Sequence, residues 1–212
     1  MSKIYLLNNI PFDGVENLEV FKIKFIPSVI NINEYDALIF TSKNAIYSLD
    51  SFNNEWKNID SYAIAPKTAS IINEYGGKVK FIGKSSHGND FAKELTPLLK
   101  NKKCLYIRAE KVVSKLCQVL KNDKICIDEL VTYRTVCNVD SLDTKIENNS
   151  TIVFTSPSSV NCFLKKYKWN NTLRAVVIGK TTAKYLPNDI KFEISSNTSI
   201  EECIKLATKP IL

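Results

Sequence analysis

Two strand endings in this chain carry hydroxyls and cations of the kind that grip anions. Residues 38–46 read "LIFTSKNAI", and 114 positions later residues 152–160 read "IVFTSPSSV". In each, an apolar run stops at Phe-Thr-Ser and turns polar. Thr41, Ser42 and Lys43 in the first copy, and Ser156, Pro157, Ser158 and Ser159 in the second, fall where a buried strand gives way to a helix. A serine at that point can cap the helix, and Pro157 suits a first helical position. The same hydroxyls, the open backbone amides and the helix dipole can also hold a carboxylate or phosphate. The offset joins a second pair of junctions, "AIAPKTA" at 63–69 and "VIGKTTA" at 177–183. These add Lys67 and Thr68, then Gly179, Lys180, Thr181 and Thr182. Capping alone explains any one junction, whereas four junctions facing one cleft would receive several carboxylates.

Other chemistries are poorly supplied. Gly179-Lys180-Thr181 lacks the earlier glycine of a phosphate loop, since position 174 is Arg. No Gly-x-Gly-x-x-Gly occurs, and His87 is the single histidine, so neither a histidine triad nor a histidine metal site can be assembled. No metal and no cofactor are expected. The six cysteines are scattered without a Cys-x-x-Cys pair, which points to free thiols in a reducing cytosol. Arg108 ends the strand "CLYIR" and should project at the same sheet edge, as a plain surface residue or as a carboxylate ligand. Tyr133, in "VTYRTV", either packs or presents a phenol able to donate a proton to a leaving hydroxyl. Arg134 would point the other way along an extended strand.

The chain of 212 residues is 44% hydrophobic and 24% charged, ordinary for a globular protein. Its net charge of +7 would draw in a polyanion, either nucleic acid or a small molecule with many carboxylates. No apolar run nears the roughly 20 residues that span a bilayer, and "MSKIYLLNNIPFDG" lacks the apolar core of a signal peptide. No membrane partner is expected.

Short apolar runs alternate with amphipathic stretches, which implies parallel sheets covered by helices. Strands are expected at 4–7, 37–40, 62–65, 79–82, 104–107, 125–130, 152–154, 175–178 and 190–194. Helices are expected at 44–52, 68–75, 90–99, 112–120, 159–167, 181–186 and 200–207. Two junction types sharing one offset point to two similar three-layer α/β domains. The second copy supplies only three clear strands, so "KIYLL" and "VFKIKFI" from the N-terminus are expected to complete its sheet. The first domain would then be discontinuous, residues 1–27 with 137–212, and 28–136 would be inserted. The crossings near 25–31 and 130–136 are β-branched and could pair as a two-stranded hinge.

Taken in order, "FTSKNAI", "FTSPSSV", "VIGKTTA", "YIRAE" and "IDELVTYRTV" resemble the uroporphyrinogen-III synthase family over nearly the whole chain. The resemblance implies two α/β domains, one flavodoxin-like, on a two-stranded β linker with the active site in the cleft. It implies cyclisation of hydroxymethylbilane, a linear tetrapyrrole with eight carboxylates, to uroporphyrinogen III with the last ring inverted. Loss of the hydroxyl as water gives an azafulvene, whose terminal ring attacks at its substituted carbon. The resulting spiro intermediate fragments and recloses. Tyr133 matches the family's linker tyrosine, and Thr182 the second Thr of Gly-x-Thr-Thr-Ala. The expected protein is a cytoplasmic monomer that binds no nucleic acid and takes its substrate from the upstream bilane-forming enzyme. An inactive tetrapyrrole-binding module of the same fold is the alternative. Ala65 and Ala109 stand where the family has glycines, and the N-terminal segment leaves room for one helical turn at most.

Overall fold

The structure is a computed structural model that describes residues 2–85 and 87–209. The chain gathers into two compact units, Met1–Lys22 with Thr135–Leu212, and Ile23–Arg134. It opens with β1 (Ile4–Leu6), β2 (Glu16–Asn17) and β3 (Phe21–Phe25). There follow β4 (Ala37–Phe40), α1 (Lys43–Asp50), β5 (Asp60–Ala63), α2 (Pro66–Glu74) and β6 (Lys78–Ile82). Next come α3 (Gly88–Leu95), β7 (Lys103–Ala109), α4 (Leu116–Asn122) and the long β8 (Cys126–Cys137). The last stretch is β9 (Thr151–Phe154), α5 (Pro157–Lys166), β10 (Arg174–Val177), α6 (Lys180–Ala183), β11 (Phe192–Ile194) and α7 (Ile200–Ala207).

One sheet has the order β11-β10-β9-β1-β2 and the other β3-β8-β7-β4-β5-β6. Within β1, β2 and β9–β11, and within β4–β8, the paired strands run parallel. The central strands are apolar throughout because both faces are covered. In β4, Leu38 and Phe40 pack on Ala45 and Leu49 of α1 and Ile72 of α2. Ala37 and Ile39 pack on Phe91 and Leu95 of α3 and Leu116 of α4. In β9, Phe154 meets Val160 and Phe163 of α5, and Val153 meets Cys203 and Ala207 of α7.

The 114-residue offset is visible in three dimensions. It carries the first residues of β4, α1, β5, α2 and β6 onto those of β9, α5, β10, α6 and β11. The flanking strands match in space as well: β7 and β8 lie beside β4 as β1 and β2 lie beside β9. Taken in chain order, the strands of the first unit read 2-1-3-4-5 across the sheet, while β4–β8 read 3-2-1-4-5. The two sheets therefore share one arrangement with different points of entry.

Three expectations are corrected. "VFKIKFI" does not complete the first sheet. That place belongs to β2, which pairs Glu16 with Tyr5 and Asn17 with Leu6, and β3 lies at the edge of the other sheet. The reason is its alternation: "FKIKF" offers one half-buried face and two lysines, which suits an edge and not a strand covered on both sides. Helix α4 begins at Leu116 and not near Val112; residues 110–115 form a loop anchored where Lys115 N donates to Asn89 Oδ1 at 2.8 Å. The cysteines are not all free: Cys137 and Cys162 form a disulfide with Cα atoms 5.1 Å apart. Both sides of the bridge pack in one core around Phe154 and Phe163, which brings the end of β8 to α5. Cys104, Cys117, Cys126 and Cys203 remain thiols.

Candidate active site

The β4–α1 junction directs two neighbouring hydroxyls to two different phenols. Ser42 takes extended backbone angles and caps α1, its Oγ accepting from Asn44 N at 3.2 Å. Thr41 Oγ1 lies 3.0 Å from the Tyr106 hydroxyl, which also bonds Ser114. The Ser42 hydroxyl lies beside the Tyr133 phenol and favours its ionised form. Tyr133 is 7% exposed and packs with Phe40, Ala45, Leu105 and Ile107. Burial pushes its phenol above the ordinary tyrosine range, with the nearby Ser42 hydroxyl opposing the rise and Tyr106 adding to it. Burial likewise raises Tyr106, against the bonds from Thr41 and Ser114. Both phenols hold their protons at neutral pH, as proton donors must. No motif in the sequence marks Tyr106. Its signal was a phenol inside the apolar run "CLYI", where a buried hydroxyl has to find a partner.

The β5–α2 junction offers less side-chain capping and more charge. Ala65 occupies the cap position with no side-chain bond, and Pro66 opens the helix. Lys43, Lys67 and Thr68, with Tyr47, Ser70 and Ile71, line a groove of about 370 Å³ along α1 and α2. Among the described residues neither Lys43 nor Lys67 has an ion-pair partner. Helix dipoles favour acidic residues in the first turn. Helices α3 and α7 follow that rule with Asp90 and with Glu201 and Glu202. Helices α1, α2, α4, α5 and α6 have no acid there, and Lys43, Lys67 and Lys180 stand in the first turns of three of them. That inversion sacrifices local stability and leaves positive charge for an anion.

The other unit repeats the positions with different partners. Ser156 and Ser159 form a reciprocal capping box, each backbone amide bonded to the other's hydroxyl at 3.1 Å. Pro157 and Ser158 fill the first turn between them. Gly179 is the extended cap of α6, Thr182 is buried, and Lys180 and Thr181 are exposed. The candidate residues thus collect at the C-terminal edges of their own sheets: Thr41, Ser42, Lys43, Lys67, Thr68 and Tyr133 in one unit, Ser156–Ser159 and Gly179–Thr182 in the other.

Arg108, at the end of β7, is engaged within its own unit. Its Nε lies 2.6 Å from Glu129, and its Nη1 donates to the carbonyls of Ala109 at 2.8 Å and Glu110 at 3.1 Å. The cause is the neighbouring strand, which sets Glu129 diagonally across from it. Burial raises the Glu129 carboxyl, but the Cys117 thiol and the Arg108 guanidinium outweigh this and hold it below the usual range. Arg134 approaches Glu110 at 3.9 Å. Among the described residues no cluster of three or more His, Cys, Asp or Glu is placed to hold a metal, and no helix is long and apolar enough to cross a membrane.

The chain resembles known proteins over almost its full length. The structure of uroporphyrinogen-III synthetase from Helicobacter pylori 26695 superposes with a TM-score of 0.85 at 29% identity, covering 98% of each chain. A mutant uroporphyrinogen III synthase from the extremely thermophilic bacterium Thermus thermophilus shares the fold at a TM-score of 0.58 and 14% identity, over 97% of this chain and 96% of that one. No curated protein sequence matches significantly. The family model described as uroporphyrinogen-III synthase HemD matches residues 18–204. With that match and a fold shared from end to end, the chain belongs to the uroporphyrinogen-III synthase family.

Proposed function

We propose that this protein is a lyase that cyclises hydroxymethylbilane to uroporphyrinogen III with loss of water, in tetrapyrrole biosynthesis. The observation that carries the reading is the family match over residues 18–204. Tyr133 donates its proton to the departing hydroxyl, the C–O bond breaks, and the pyrrole nitrogen's electron pair completes the azafulvene. The terminal ring attacks the exocyclic carbon through its substituted position and forms the spiro centre. Fragmentation and reclosure at the free position release a ring proton, which restores the phenol. Because the substrate is itself reactive, the protein's main contribution is to hold geometry.

Carboxylates bind at Thr41, Ser42, Lys43, Lys67 and Thr68 in one unit and at Ser156, Pro157, Ser158, Ser159, Gly179, Lys180, Thr181 and Thr182 in the other. The lysines along α1 and α2, unpaired among the described residues, support that role. The strand order of the first unit supports a flavodoxin-like domain. The unit boundaries fall inside β3 and β8, which supports reading these strands as the hinge. We further propose a cytoplasmic monomer supplied by the upstream bilane-forming enzyme.

The test is product analysis. Purified protein, given freshly made hydroxymethylbilane, yields the III isomer. Recovery of the I isomer alone, which forms without an enzyme, would overturn the reading, and tight tetrapyrrole binding without inversion would favour an inactive binding module.

A further inference from the structure

Strand parity decides where the ring of Tyr133 points. On β8, Asp128 stands opposite Leu105, Leu130 opposite Ile107, and Val131 opposite Arg108. Leu130 packs into the core of Leu105, Ile107 and Phe40, while Ile127 packs into the opposite core with Cys104 and Tyr106. Unbroken alternation would put Thr132 on the Leu130 face and Tyr133 on the other, away from Ser42. The register instead skips a residue: Ala109 pairs with Tyr133, and Thr132 is left over as a β-bulge. That one extra residue returns Tyr133 to the Leu130 face, where Ser42 meets it.

The bulge is held from several directions. The carbonyl of Thr132 accepts from the Ser48 hydroxyl of α1 and from Ile26 N at 2.6 Å. Glu110 N donates to the Tyr133 carbonyl at 2.8 Å. Arg108, anchored on Glu129, bonds the Ala109 and Glu110 carbonyls on the strand that faces the bulge. Ser48 is fully buried on the sheet side of α1, where an apolar residue would be expected. The Thr132 hydroxyl is buried without a partner among the described residues, so the bulge is kept at a cost to stability.

We propose that Ser48 and Arg108 are positioning residues that lock this bulge and so aim the Tyr133 phenol. This rests on the reading of Tyr133 as proton donor, and it removes Arg108 from the carboxylate ligands.

The experiment measures hydroxymethylbilane turnover for Ser48→Ala and Arg108→Gln, each alone and combined with Tyr133→Phe. Alone, each lowers kcat by about tenfold and leaves KM within about twofold, because the phenol is misplaced while the carboxylate sites stay intact. In the Tyr133→Phe background the same changes have less than about a twofold effect, since there is no phenol left to aim. An equal fall in both backgrounds overturns the proposal. A raised KM with unchanged kcat in Arg108→Gln returns Arg108 to the ligands and overturns its half. If Ser48→Ala does not fold, Arg108→Gln carries the same cycle. Carbon-13 labelled tyrosine gives a readout independent of activity. The ring resonance that vanishes in Tyr133→Phe shifts more than any other tyrosine signal in both variants, and an unmoved resonance overturns the aiming even if the protein makes no III isomer.

Discussion

The two Phe-Thr-Ser junctions begin alike and end differently. At 154–159 the hydroxyls close on their own segment or nearby backbone: Ser156 and Ser159 satisfy each other, and Thr155 reaches the Leu7 carbonyl at 3.1 Å. At 40–42 they reach across the sheet to Tyr106 and Tyr133. The neighbouring strands explain the difference. Tyr106 stands beside Ile39, and at the matching place beside Val153 stands Leu6. With no phenol opposite, Thr155 turns to backbone. A repeated motif here reports a repeated scaffold, and the chemistry lies in what faces it.

The sharpest contrast between the units concerns stability. The Cys137–Cys162 bridge closes a loop of 25 residues in the first unit, while the second has no disulfide among its described residues. Closing such a loop stabilises by roughly 3–4 kcal/mol on the chain-entropy model. Adding dithiothreitol, or making Cys137→Ser, is expected to lower one melting transition by about 15 °C. Hydrogen exchange should place the loss in Thr135–Leu212 and leave Ile23–Arg134 protected. Equal loss in both units would show that they do not melt independently.

For chemistry the contrast reverses, and the second unit carries the larger effect. Tyr133→Phe removes one buried hydroxyl and is expected to lower kcat by about a hundredfold with the circular dichroism spectrum unchanged. An unaltered rate would end its role as the acid. Tyr106→Phe makes a control from the same sheet edge, because its hydroxyl is already engaged by Thr41 and Ser114. Its expected loss is smaller, about threefold, through the Thr41 contact alone.

Much of this layout is legible in the residues. The period-two and period-3.6 patterns give the α/β alternation, and the offset places five element starts. What the sequence hides is pairing. "FKIKF" looks like any strand until its lysines are weighed against a position covered on both faces. Cys137 and Cys162 give no spacing signal because their bridge joins a strand end to a helix. Arg108 looks free until the register of β8 brings Glu129 alongside. The bulge at Thr132 is invisible for the same reason: parity belongs to a pair of strands and cannot be read from one.

Alkaline pH should weaken both units. Burial pushes the Cys104 thiol from 9.0 to about 12, and burial with the Glu129 bond pushes Cys117 to about 11. Tyr106 and Tyr133 are also raised by burial. The folded state keeps these protons where the unfolded state releases them. Stability is therefore complete below about pH 9 and falls as pH rises through the folded values. In the first unit Cys203 and Tyr167 are raised too, again mainly by burial. Between pH 8 and 11 the expected loss in Tm is about 5 °C, and Cys104→Ala should flatten the slope. A slope unchanged in that variant would take Cys104 out of the account.

Two modest and opposed effects are expected at the groove along α1 and α2. Lys43 and Lys67 sit in the first helical turns, where a cation opposes the dipole, and no ion pair among the described residues offsets the opposition. If they are there for a carboxylate, then Lys43→Ala or Lys67→Ala raises KM by about fivefold with kcat nearly unchanged, the size of one partly exposed ion pair. The same substitutions remove an unfavourable charge and stabilise the helices by about 0.3–1 kcal/mol, a rise of one to a few degrees in Tm. The two readouts must move in opposite directions, since affinity for the anion and stability of the empty helix compete for the same charge. A lysine whose removal lowers both would be part of the scaffold, and the groove would then hold no carboxylate.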